Sequence, residues 1–226
     1  MSLNQIFNHF GTDKGDLHNA AHNYGPIYEG LFQFLEVENL LEVGIENGNS
    51  HKAWAKYFPN AVIYGADRNI IDIDHYRIKQ VVCNQNDIDS FFTLLFDEMP
   101  MMDIIIDDGG HCMNHHAYTL AGLWRKLKPG GFYIIEDVHT CNYPIGSELF
   151  GQRVMNAIAN TLVTFRDYIL AENKDHYQLN TPFYELRDLD TSEFEYVRII
   201  GDDNKDTLDI ENIKRHGLII IKKCPV

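Results

Sequence analysis

The chain has 226 residues, 45% of them hydrophobic, with 33 acidic against 19 basic side chains and a formal net charge of -14. That length suits one α/β domain with elaborations, spanning 1–226, and an acidic balance without any Lys/Arg cluster excludes nucleic acid as a partner. No apolar run approaches the ~20 residues needed to span a bilayer, and the polar opening Met1-Ser2-Leu3-Asn4-Gln5 lacks a signal-peptide pattern, so a soluble, cytoplasmic protein is expected.

Residues 1–38 hold Gly11-Thr12-Asp13-Lys14-Gly15, then His22, Tyr24 and Tyr28. This stretch reads as too polar and glycine-punctuated for a simple helical wrapper, and as an N-terminal lid over a ligand crevice. Short apolar or β-branched runs follow at 39–45, 61–66, 79–83, 102–106 and 131–135, spaced widely enough for crossover helices. Asn49 to Phe58, Asp87 to Asp97 and Asn114 to Leu127 carry apolar residues at three- and four-residue spacing. The last of these runs into Lys126-Leu127-Lys128-Pro129-Gly130-Gly131, a helix stop. Further on come a helix at 147–170, a polar, loop-rich stretch at 171–193, and strands at 194–200 and 217–222. Joined by a loop, those two strands predict an antiparallel edge hairpin on an otherwise parallel sheet. The expected fold class is α/β and Rossmann-like, with a mostly parallel seven-stranded sheet. Cys83, Cys112, Cys141 and Cys224 match no metal or redox spacing, so reduced thiols are expected.

Glu42-Val43-Gly44-Ile45-Glu46-Asn47-Gly48 follows the first strand and opens a helix, the context a nucleotide-binding glycine loop requires. Glu46 stands where a dinucleotide site needs glycine, and its carboxylate would oppose a pyrophosphate. A phosphate-free, cationic nucleotide such as S-adenosylmethionine fits better. Asp67, ending the second run, is placed to chelate ribose hydroxyls, and Gln85 lies where an adenine edge would be read. Glycine after a strand also simply makes a turn, and Asp67 also suits a strand-end cap; the order and spacing within one βαβ unit favour the cofactor. Glu42, Gly44, Gly48, Asp67 and Gln85 are the candidate cofactor contacts.

Two acidic clusters, Asp107-Asp108-Gly109-Gly110-His111 and Glu136-Asp137, each sit directly behind an apolar strand. In a parallel sheet the carboxyl ends of neighbouring strands open into one crevice. Carboxylates gathered there repel unless a cation neutralises them, which points to a divalent metal with a histidine beside it. All-oxygen ligation suits Mg²⁺ or Mn²⁺. His111, His115 and His116 also suggest zinc, but a helix places only two of them on one face and no other soft ligand is nearby. His139 and Tyr143 could line an acceptor pocket, or be packed loop residues.

With these motifs in place, the chain resembles the metal-dependent sugar O-methyltransferases of macrolide biosynthesis, the mycinamicin and macrocin type, and their relatives in polysaccharide gene clusters. The resemblance runs over roughly 11–140 and the closing strand. Gly110 departs from it where serine is common, and Cys141 where a small hydroxyl residue is usual. The resemblance implies Mg²⁺ on Asp108, Glu136 and Asp137, His111 as the base, and cofactor contacts that extend to Thr12, Lys14 and Asp107. It further implies S-adenosylmethionine, a small sugar-containing acceptor and a homo-oligomer. A catechol-like acceptor would chelate the same ion, and a non-catalytic binding domain would keep the same fold. An iron oxygenase needs two histidines and one carboxylate on one ion, whereas carboxylates outnumber the candidate histidine here.

Overall fold

The computed structural model describes residues 1–17, 22–85, 99–111, 113–137, 191–200 and 217–225. Helix α1, Leu3–Phe10, is closed at both ends by its sequence. Ser2 accepts from the Gln5 amide while the Gln5 side chain bonds back to the Ser2 amide, and Gly11 ends the helix in the left-handed conformation at φ 70°. Helix α2, Gly25–Phe32, carries Pro26 in its first turn, where a missing amide costs nothing. Leu3, Ile6, Phe7, Tyr28 and Phe32 of these helices are buried against Trp54 of α3, Asn49–Tyr57. Trp54 meets Phe7 edge-on at 4.9 Å and Tyr28 at 5.3 Å. The N-terminal segment is therefore a packed helical layer, a correction to its reading as too polar for a helical wrapper. Its apolar residues are few, but their helical spacing gathers them on one face.

Seven strands form one sheet in the order β3-β2-β1-β4-β5-β7-β6. They are β1 Asn39–Val43, β2 Val62–Asp67, β3 Ile78–Val82, β4 Met102–Asp107, β5 Leu127–Ile135, β6 Phe194–Ile200 and β7 Leu218–Lys223. The first five pair in parallel; β7 runs antiparallel to both β5 and β6, which leaves β6 on the edge. Alternate side chains of the central strands enter two cores. Leu40, Ile104, Ile106, Phe132 and Ile134 face α1, α2 and α3. Leu41, Val43, Ile105, Tyr133 and Ile135 face α4, Met113–Leu123. Burial on both faces accounts for strands that read as continuous apolar runs.

Strand β5 differs from the sequence reading, because it begins at Leu127 and includes the Lys-Pro-Gly-Gly stretch expected only to stop the preceding helix. That helix gives way instead to a 3-10 turn at Trp124–Lys126. The pairing with β4 shifts register between Met102 and Ile104, so the extra residues are absorbed as an irregularity. The helices expected over 87–97 and 147–170 lie outside the described residues, as do His139 and Tyr143.

Candidate functional site

The parallel ladder continues one residue past the strands and thereby levels the site. Gly44 N–H donates to Ala66 O at 2.8 Å, Asp108 N–H to Val43 O at 2.9 Å and Glu136 N–H to Asp107 O at 3.0 Å. Gly44, Asp108 and Glu136 thus stand side by side at the carboxyl edge. Three non-glycine residues here adopt positive φ: Glu46 at 48°, His111 at 49° and Asp137 at 52°. Such backbone is costly and persists only where the surroundings fix it.

Lys14, wholly buried, reaches into this edge from the turn after α1. Its Nζ lies 2.5 Å from Asp108 Oδ2, 2.8 Å from Glu136 Oε2 and 3.2 Å from Glu42 Oε1. Burial alone would lower the lysine pKa, but the Asp108, Glu136 and Glu42 carboxylates outweigh it and hold it well above the ordinary range. The Tyr28 hydroxyl donates to Glu136 Oε1, and the Tyr24 hydroxyl to Asp137 Oδ1 at 2.7 Å. His22 sits between acids, with Nδ1 3.5 Å from Asp137 Oδ1 and Nε2 3.4 Å from Asp13 Oδ2.

One ammonium does not neutralise this cluster. Burial, opposed by Lys14 but reinforced by Asp137 and Glu42, pushes Asp108 up to about 7. Burial and the Asp108 carboxylate likewise push Glu136 well above the usual carboxylate range. Excess negative charge of this kind is relieved by protons or by a bound cation. Among the described residues, two overlapping sets offer ligand atoms within 4.8 Å of one another: Asp108, His111 and Asp137, and Glu42, Asp108 and Glu136. The second set already surrounds the Lys14 ammonium. The first is the one that fits a divalent ion, with the hard oxygen donors of Asp108 and Asp137 and the His111 imidazole beside them. Both Glu136 oxygens already accept a hydrogen bond, from Lys14 and Tyr28, so Glu136 joins an ion only through its remaining lone pairs.

His111 Nε2 lies 3.8 Å from Asp108 Oδ1, and its Nδ1 has no hydrogen-bond partner among the described residues. Burial, with the His116 charge adding to it against the pull of Asp137, lowers its pKa, so the ring is neutral and can take up a proton. The zinc alternative, disfavoured from the sequence, is not assembled among the described residues. His116 Nδ1 is instead tied to Asp107 Oδ2 at 2.9 Å, and His115 lies against Gly110, where an added Cβ would come within 2.2 Å of Nδ1.

The candidate cofactor crevice is at the carboxyl ends of β1, β2 and β4, where the strand order reverses, the place ligands occupy in open parallel sheets. Gly44, at φ 97°, lets the loop after β1 touch Asp108, whose carbonyl oxygen would lie 2.0 Å from any Cβ there. Gly48 caps α3 at φ 74° and lies against Ile73 and Ile71. Asp67 Oδ2 accepts from the Ile45 amide at 2.9 Å, and Oδ1 from the Asn69 amide at 3.0 Å. It therefore braces the glycine loop while each oxygen keeps a second lone pair for a ligand. With Glu46 and Asp67 beside it, the crevice suits a cationic nucleoside, not a pyrophosphate.

No protein-family model matches the chain. Over 135 residues, 54% of the chain, it is 33% identical to mycinamicin VI 2''-O-methyltransferase of Micromonospora griseorubida, and over 154 residues, 63% of the chain, 33% identical to demethylmacrocin O-methyltransferase of Streptomyces fradiae. Its sequence relatives are sugar O-methyltransferases. The alignments cover only 33% and 38% of those proteins, about a third of the length of the curated relatives the chain matches. The MycE methyltransferase of the mycinamycin pathway, solved with Mg, S-adenosylhomocysteine and mycinamycin VI, superposes on the whole chain with a TM-score of 0.68 at 25% identity, over 54% of its own length. The fold is accordingly a Rossmann-like methyltransferase fold, mostly parallel with antiparallel C-terminal strands.

Asp108, His111 and Asp137 converge, while Gly44, Gly48 and Asp67 lie in or beside the loops that follow β1 and β2. Thr12, Lys14 and Glu42, expected at the cofactor, are engaged by other groups of the protein, Lys14 by the carboxylates of Asp108, Glu136 and Glu42. Glu42 is wholly buried on the α3 face, accepting from Ser50 Oγ at 2.8 Å and Trp54 Nε1 at 3.1 Å, and Thr12 is a buried turn residue beside Lys14. Strand alternation is the reason, since Glu42 follows Leu40 to that face. Gln85 and Asp107 are likewise taken up internally. Gln85 Nε2 donates to Asp107 Oδ1 at 3.0 Å and to Thr119 Oγ1 at 2.8 Å, and its Oε1 accepts from the Gly110 amide at 2.7 Å. Their work is to shape the loop that carries Asp108 and His111. The parts played by Tyr24, Tyr28 and His116 were not assigned from sequence; the four-residue spacing of the tyrosines was the available signal.

Proposed function

We propose that this chain is an S-adenosylmethionine- and Mg²⁺-dependent O-methyltransferase acting on a sugar hydroxyl, carried by a glycosylated natural product or a surface-polysaccharide precursor, and working as a homo-oligomer. The observation that carries the reading is the convergence of Asp108, Asp137 and a neutral His111 beside the Asp67 crevice, in a chain whose relatives methylate sugars. When bound, the cofactor supplies the methyl group and the ion a Lewis acid that lowers a hydroxyl pKa. Asp108 and Asp137, with the lone pairs that Glu136 retains, would hold the ion; Asp67 would hold the ribose. His111 would accept the acceptor hydroxyl's proton at a ring nitrogen, which its depressed pKa keeps free of a proton beforehand. The enzyme otherwise contributes alignment, because the sulfonium and the developing alkoxide neutralise each other.

Purified protein incubated with methyl-labelled cofactor and a panel of glycosides and nucleotide sugars should transfer label to a sugar oxygen, and EDTA should stop it. Full-rate transfer in EDTA, or transfer to catechols alone, would overturn this reading.

A further inference from the structure

Tyr24 and Tyr28 stand four residues apart, Glu136 and Asp137 are adjacent, and the fold sets the two pairs against each other. Tyr24 immediately precedes α2 with helical dihedrals (φ -76°, ψ -16°), so both rings leave one side of the same helical turn. The Tyr24 hydroxyl donates to Asp137 Oδ1 at 2.7 Å, and the Tyr28 hydroxyl to Glu136 Oε1. Consecutive residues of a strand ordinarily point to opposite faces. Asp137 instead turns back at φ 52°, which brings its carboxylate to the side that Glu136 already occupies. A left-handed aspartate needs something to hold it, and the Tyr24 hydroxyl, with His22 Nδ1 3.5 Å from the same oxygen, is placed to do so.

Packing alone does not call for these hydroxyls. The Tyr28 ring stacks on Phe32 at 5.4 Å and meets Trp54 edge-on at 5.3 Å, contacts that phenylalanine would make equally well. A buried hydroxyl is unfavourable unless it is hydrogen-bonded, and here each is spent on one acid of the cation cluster. We propose that Tyr24 and Tyr28 are positioning residues of the cation site, their hydroxyls fixing Asp137 and Glu136 in the orientation that accepts a divalent ion, so that the N-terminal helical layer forms part of the site. This rests on the cation reading above.

Mn²⁺ binding to the purified chain, followed by the electron paramagnetic resonance of free Mn²⁺, tests it with Tyr24→Phe and Tyr28→Phe. Each variant should bind Mn²⁺ about 10–100-fold more weakly, the usual loss when a hydrogen-bond partner of a metal ligand is removed. S-adenosylmethionine affinity, measured by calorimetry, should stay at the wild-type value. Wild-type Mn²⁺ affinity in both variants overturns the proposal, as does a parallel loss of Mn²⁺ and cofactor binding, which would mark a purely structural role. If Tyr28→Phe does not fold, Tyr24→Phe decides the matter alone. Failure of the wild type itself to bind Mn²⁺ defeats the cation reading and this proposal together, an outcome distinct from the other two.

Discussion

Replacing Lys14 with methionine keeps the side-chain volume and removes the charge that three buried carboxylates share. Without the ammonium, Glu42, Asp108 and Glu136 present oxygens within 4.8 Å of one another, and at an effective dielectric of ~20 each pair repels by about 3 kcal/mol. Proton uptake limits the damage, so the net loss should be that of a broken buried pair, about 3–5 kcal/mol. For a chain of this size each kcal/mol lowers the melting temperature by roughly 2–4 °C, giving a fall of about 6–20 °C. The loss should depend on pH in a defined direction. Carboxylates with raised folded pKa values bind protons that the unfolded chain has already released, so stability falls as pH rises through the window between ~4 and the raised values. Asp108, at about 7, already imposes that slope on the wild type. Thermal denaturation of both proteins in EDTA, monitored by circular dichroism between pH 5 and pH 8, should show a deficit that widens with pH, and Mn²⁺ should partly close it. A melting temperature within about 2 °C of wild type at pH 8, which is less than 1 kcal/mol, would refute the view that the Lys14 ammonium offsets part of this cluster's charge.

Three further outcomes follow from the same geometry. Asp67→Ala should weaken S-adenosylmethionine by about 1.5–3 kcal/mol in calorimetry and also lower the melting temperature, because the amides of Ile45 and Asn69 lose their acceptor; unchanged cofactor affinity would leave Asp67 a loop brace only. Gly109→Ala puts a Cβ 2.2 Å from Gln85 Oε1, which should displace the amide that holds Gly110 and Asp107 and cut turnover; adding Gln85→Ala should restore part of the activity, and no restoration would show that the clash lies elsewhere. His111→Ala should lower kcat by about 10²–10⁴-fold with Mn²⁺ affinity retained; a matching loss of Mn²⁺ would make the imidazole a ligand instead of the base.

The sequence by itself determined the sheet and its polarity. Runs such as Asp103-Ile104-Ile105-Ile106 are buried on both faces, and β-branched continuity with intervening helical periods leaves the parallel arrangement as the one way to cover both. It also determined that acids gather at the carboxyl edge, because Asp107 ends β4 and Asp108 follows it, while Glu136 and Asp137 follow β5. Only the tertiary structure decided which acid does what. Strand alternation sends Glu42 to the α3 face, where Lys14 and Trp54 enclose it, and Asp107 toward His116. The left-handed turn at Asp137 reverses that alternation and puts its carboxylate beside Glu136. Lys14 is the clearest case: in sequence it is one lysine in a glycine-bounded polar turn, and nothing local marks it as buried. Its environment comes from residues 28 to 122 positions away in the chain, Glu42, Asp108 and Glu136, so its role exists only once α1 and α2 have packed on the sheet and brought the ammonium among the carboxylates.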